Sequence, residues 1–172
     1  MRPRRSDAAA DRRCTGRGAG IVSTVLDFEQ LAFIERWRQR AARGVVVALD
    51  GTRGDIVVTM RVGDLGATVD LRGRDATGAM RKHRLSIGDR VTIAIEYTAM
   101  DVGSGMSQSV GGGTVGPGAI VEGIVGHVGE LVVVDCGAPV LVTAASLGAA
   151  SDGDVVRFTV AGEGRAYLIP TR

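Results

Sequence analysis

The sequence predicts a mainly β protein of two tandem small barrel-like modules preceded by one amphipathic helix. Three observations carry that prediction. The chain is 45% apolar but only 3% aromatic, with 26 glycines and four prolines. Its abundant valines suit a pleated, half-buried surface, and the glycines suit tight turns. Only residues 27–43 show a good helical period. Finally, the chain repeats itself: "GDIVVTMRVGDLGATVDLRG" at 54–73 lies over "GELVVVDCGAPVLVTAASLG" at 129–148, and "LSIGDRVTIAIE" at 85–96 over "GAASDGDVVRFTVAG" at 148–162. A repeat is architectural evidence that does not depend on any one residue.

Residues 1–20 have few large apolar side chains and no hydrophobic period, so they read as a disordered basic tail. Six arginines between residues 1 and 17 face only Asp7 and Asp11, a net charge of +4. The rest of the chain therefore sums to −2, and the overall +2 describes the tail rather than the body. In the segment 27–43, Asp27 and Gln30 have capping-box spacing. Leu31, Ile34, Trp37 and Ala41 then share one face, while Glu29, Arg36, Gln39, Arg40 and Arg43 share the other. Gly44 follows as a stop.

Residues 44–100 form the first expected β module. Strands are predicted at 45–49, 56–62, 67–71 and 90–97, with hairpin signals at Asp50-Gly51 and Gly63-Asp64. The polar stretch 73–84 separates the third strand from the fourth and has room for a short helix. Residues 101–118, with seven glycines, read as a linker. Residues 119–172 form the second module, with strands at 119–125, 131–136, 140–143, 155–160 and 166–169. In both modules a Gly-Asp pair, Gly88-Asp89 or Gly153-Asp154, launches an alternating strand. This order of strands, with a loop or helix between the third and fourth, resembles five-stranded barrels of the OB type, including S1-like RNA-binding domains, and split barrels read similarly. Each module is small and aliphatic enough to be marginal alone, so the two should pack on each other, on the helix or on a partner.

Composition narrows the function more by exclusion than by motif. There is one lysine, Lys82, against twenty arginines, which we read as a coding bias. Cys14 and Cys136 do not form a disulfide framework and suit a reducing compartment. No apolar run approaches the ~20 residues of a membrane helix, and the N-terminus lacks the apolar core of a secretory signal. The default is therefore a cytoplasmic protein with no membrane contact. His83, His127, Cys14 and Cys136 include no short-spaced pair, so no metal site is expected. Cys136 lacks a visible base, His127 reads as a turn residue, and residues 111–118 lack the Gly-Lys-Ser/Thr ending of a phosphate loop. No catalytic residue and no cofactor follow.

The candidate binding residues are arginine-rich. Arg72, Arg74, Arg81, Lys82 and Arg84, with His83 among them, could face phosphates. Arg36 and Arg40 have the Arg-x-x-x-Arg spacing that precedes PilZ-type barrels, which resemble the first module in strand order. The serine of the second PilZ motif is missing from Gly63-Asp64-Leu65-Gly66-Ala67. Residues 117–172 carry −3, and aromatics for base stacking are sparse. The reading that results is a non-enzymatic binding or scaffolding protein whose partner is another protein or a second copy. Nucleic-acid binding by tandem OB-type barrels is the alternative, with a PilZ-like cyclic-dinucleotide sensor behind it.

Overall fold

Branched and glycine-rich segments become strands almost throughout the computed structural model, which describes residues 32, 35–38, 40–52, 54–63, 67–128 and 131–169. The elements run β1 (Ala42–Thr52), β2 (Asp55–Val62), β3 (Val69–Asp75), α1 (Ala79–Lys82), β4 (Arg90–Tyr97), β5 (Ala99–Ser104), β6 (Ser109–Val110), a 3-10 turn (Gly111–Gly113) and β7 (Thr114–Val115). There follow β8 (Ile120–Val128), β9 (Leu131–Asp135), β10 (Pro139–Val142), α2 (Ala144–Leu147), β11 (Val155–Val160) and β12 (Gly164–Ile169). Among the described residues no helix is long and apolar enough to cross a membrane.

Antiparallel pairs β1–β2, β2–β3 and β1–β4 set up a barrel. Its gap is filled from the far end of the chain: β12 lies parallel to β3 and antiparallel to β4. The ring β1-β2-β3-β12-β4 is thus a closed five-stranded barrel, with the remaining strands outside it. In the second half β8–β9, β9–β10 and β8–β11 pair in the same order. Here β5, from the first half, pairs with β11, while the end of β4 runs parallel to β10. Each half thus receives a strand from the other, and residues 34–172 form one compact unit. One core follows, in which Met60, Leu71 and Ile93 join the same buried cluster as Val121, Val134 and Phe158.

The repeat holds at the level of individual bonds. Val46 N–H donates to Asp89 O and Gly88 N–H to Val46 O; Val125 N–H donates to Asp154 O and Gly153 N–H to Val125 O. In each turn the aspartate also accepts from a serine N–H three residues back, Ser86 or Ser151, at 2.8 Å. Gly88 and Gly153 have φ of 94° and 88°, which L side chains rarely adopt. This match places Gly44 on Gly123, and neither can carry a side chain: a Cβ would lie 2.2 Å from Arg61 O or 2.5 Å from Val134 Cγ1.

Several sequence expectations change. The alignment of 54–73 on 129–148 is out by one residue at β2, where Arg61 opposite Val45 corresponds to Asp135 opposite Ile124, and by six at β3, where Leu71 opposite Met60 corresponds to Val140 opposite Val134. The connection from β2 to β3, residues 63–68, is longer than that from β9 to β10, residues 136–138, so an alignment without a gap slips there. Asp50-Gly51 is strand, paired with Val57 and Ile56, and the hairpin turns beyond it between Thr52 and Asp55. Most of residues 27–34 lie outside the described residues, as do residues 1–20; Ala32 and residues 35–37 are helical. The helix does not reach 43: Ala42 and Arg43 are already paired with Ile93 and Thr92, and cross-strand bonds replace helical ones. Residues 101–118, expected as a linker, hold β6, β7 and most of β5, which pair with β8, β3 and β11.

The crossover rests on two facing glycines. Gly73 and Gly164 pair across the parallel β3–β12 contact. A Cβ on Gly164 would meet Tyr97 Cε1 at 2.5 Å, and one on Gly73 would meet Ile95 Cγ2 at 2.8 Å. The buried Tyr97 hydroxyl donates to Arg72 O at 2.8 Å, with Val115 O 3.3 Å away. Tyr97 thus ties the end of β4 to β3 and β7.

Candidate interaction surface

The predicted phosphate-facing arginines do not form one patch. Alternation along β3 turns Asp70, Arg72 and Arg74 away from the core, across from outward residues of β1 and β2. There they meet carboxylates. Arg61 grips Asp70 with two bonds of 2.8 Å, Arg74 reaches Asp55 at 3.0 Å, and Arg72 bridges Asp50 at 2.9 Å and Glu163 at 3.2 Å. This ladder neutralises itself. Arg81, Lys82, His83 and Arg84 lie apart on α1 and the exposed loop after it. Arg36 is exposed in the helical residues, whereas Arg40 is in the following turn beside Gly126.

Other chemistry suggested by the sequence is also accounted for. Burial pushes the Cys136 thiol up to about 11, and its Sγ lies 3.4 Å from Ala138 O. That is the opposite of an activated thiolate. His127 belongs to β8 rather than to a turn. Its Nδ1 lies 2.5 Å from Asp152 Oδ1, which also accepts the His127 N–H at 2.6 Å, and these bonds hold the Asp152 carboxyl below its ordinary range. The glycine-rich turn borders a cleft of about 460 Å³ with Arg72 on its wall, but it leads into β7 and opens no helix. A second cleft, of about 410 Å³, is lined by Glu96, Thr98, Thr143, Glu163 and Arg165. Its charges are partnered: Arg165 stands 3.8 Å from Glu96, and Glu163 holds Arg72.

The feature without an internal explanation is apolar. In β8 and β11, alternate residues Val121, Val125, Val156, Phe158 and Val160 enter the core. The register leaves three rows facing outward: Ile120 beside Thr159, Glu122 beside Arg157, and Ile124 beside Val155. Met100 of β5 extends the first row beside Thr159. Ile120, Ile124, Met100 and the nearby Val102 are each about two-fifths exposed. β5 ends the strand order, and among the described residues it pairs with β11 alone.

Glu122 organises the middle of this face. Its carboxylate accepts from the N–H groups of Met106 and Ser107 at 3.1 and 3.3 Å and from the Ser107 hydroxyl at 3.3 Å. Arg157 stands 3.8 Å from its other oxygen. The Met106 bond leads the effects that hold this carboxyl below the usual range. The pinned loop presents Met106 at 94% exposure. Sequence reasoning missed this surface, although the alternating run from Ile120 to Ile124 contained the signal. Comparison with protein-family models, with curated proteins and with solved structures gave no match.

Proposed function

We propose that this chain is a non-enzymatic binding or scaffolding protein that docks another protein chain on the outer face of β5, β11 and β8. The observation that carries the reading is the set of exposed Met100, Ile120 and Ile124 on that face, with Met106 in the loop that Glu122 holds beside them. Exposed apolar side chains gathered around one free sheet edge are a feature of docking surfaces. Methionine adapts to varied partners. The free Cys136 thiol suits the cytoplasm.

In this reading the fold is a tandem of two OB-type barrels that exchange their fifth strands, β12 completing the first and β5 the second. OB-type nucleic-acid binders use a basic, aromatic-bearing groove. The β2–β3 face instead carries arginines already paired with Asp50, Asp55 and Asp70. Site-specific photo-crosslinking in the native host tests the reading. Probes replacing Met100 or Ile124 should give protein adducts, and a probe replacing the exposed Lys82 should not. Adducts with nucleic acid at Lys82, and none on the apolar face, would replace the docking reading with the nucleic-acid one.

A further inference from the structure

We infer that the open edge of β5 is built against the addition of a further strand, and that the bulge at Asp101 is what closes it. The docking reading above concerns the face of the sheet and this inference its edge, so either can fail alone.

The first barrel closes on itself through the β1–β4 pair, so among the described residues the strand order has one open end, β5. Such an edge offers unpaired N–H and C=O groups to any extended chain. Its start is covered: α2 packs against β5, and the Ala99 N–H donates to Ser146 Oγ at 3.0 Å. Residues 100–104 are all exposed. There the ladder breaks. Met100 lies opposite Thr159 and Gly103 opposite Arg157, so Asp101 and Val102 together oppose Phe158 alone. This is a bulge of one extra residue. Asp101 has φ of 53°, in the left-handed region that glycine normally supplies in such a bulge. The other non-glycine with positive φ among the described residues is Arg84, just past the end of α1, where a left-handed residue commonly ends a helix. Asp101 lies inside a strand and has no such reason. It is also the one charged residue of β5, among Ala99, Met100, Val102, Gly103 and Ser104. A bulge bends and twists the strand, so an incoming chain meets no regular ladder, and a charged side chain on the edge adds to the obstruction. Without Asp101, residues 100, 102 and 103 would oppose 159, 158 and 157 one for one, and the edge would be regular.

Hydrogen exchange at residues 100–104, followed from low to high micromolar protein, tests the inference, with sedimentation velocity for assembly and far-UV circular dichroism as the folding control. In the wild type, exchange at these residues should not depend on protein concentration. Deleting Asp101 should make the edge regular, so that the chain self-associates and exchange at 100–104 slows several-fold as concentration rises. Asp101→Val should act in the same direction, because a β-branched residue opposes positive φ and favours a regular strand. Asp101→Gly removes the carboxylate but keeps the left-handed conformation, and it should behave as the wild type. If one of the two edge-flattening variants fails to fold, the other carries the test, and the wild type and Asp101→Gly carry it if both fail. Three results would overturn the inference: concentration-dependent protection at 100–104 in the wild type, its absence in a folded deletion or Asp101→Val variant, or its appearance in Asp101→Gly, which would make the charge rather than the bulge responsible. None of these depends on adducts at Met100 or Ile124, so the docking reading is judged separately.

Discussion

Replacing Tyr97 by phenylalanine tests the seam where the two halves exchange strands. The side chain is 1% exposed, and its hydroxyl donates to Arg72 O at 2.8 Å. Phenylalanine keeps the ring against Gly164 and removes only that donor. A buried carbonyl that loses its partner costs about 1–3 kcal/mol, which in a unit of this size lowers Tm by roughly 3–10 °C. Tyr97→Ala also removes the ring and should cost about 3–5 kcal/mol. Urea titrations read by fluorescence of Trp37, the single tryptophan, and by far-UV circular dichroism provide the assay. The first barrel cannot close without β12, so both probes should report one coincident transition. The midpoint should fall for Tyr97→Phe at unchanged m. An unchanged midpoint would show that the hydroxyl contributes nothing net. Two resolved transitions would show that the halves fold independently and would refute the exchange as a source of cooperativity.

Two further predictions concern burial and charge. Trp37 is 2% exposed, so Trp37→Ala should cost about 3–5 kcal/mol, measured as a fall in the urea midpoint by circular dichroism. A full-strength midpoint would mean that the ring contributes no packing. Glu122 has a folded pKa below its ordinary value, so its contribution to holding the Met106 loop is present above the unfolded glutamate pKa and is lost as pH falls through the folded one. Hydrogen exchange at Met106 and Ser107 should therefore accelerate on acidification below the ordinary glutamate range, relative to intrinsic rates and to Glu122→Gln. Equal pH profiles for wild type and Glu122→Gln would remove the carboxylate from that role.

Where local chemistry decides, the sequence was sufficient. Alternation placed β4 at Arg90–Tyr97 and β11 at Val155–Val160. The two Gly-Asp pairs marked equivalent turns because each needs a glycine at positive φ and an aspartate to accept the serine N–H. The hairpin was misplaced because Asp50 and Gly51 are held in strand by Val57 and Ile56, and the repeat slipped because its two units differ in the length of the connection before their third strand. For the candidate site, exposed arginines were visible as residues, but the carboxylates that neutralise Arg72 come from β1 and from the loop before β12, 22 and 91 residues away.

By itself, the sequence determined that the chain is mainly β, that Gly-Asp turns recur before equivalent strands, and where β2, β4, β9, β10 and β11 begin and end to within a residue. These follow from the period of side-chain burial and from the conformational limits of glycine. Only the tertiary structure decided which strands pair. A strand edge offers the same N–H and C=O groups to any neighbour, so no local pattern could show that β12 belongs between β3 and β4 while β5 belongs beside β11. The same pairing sealed the arginine face with acids from distant segments, and it set Ile120, Glu122 and Ile124 against Thr159, Arg157 and Val155 on the outward face that the Met106 loop crosses.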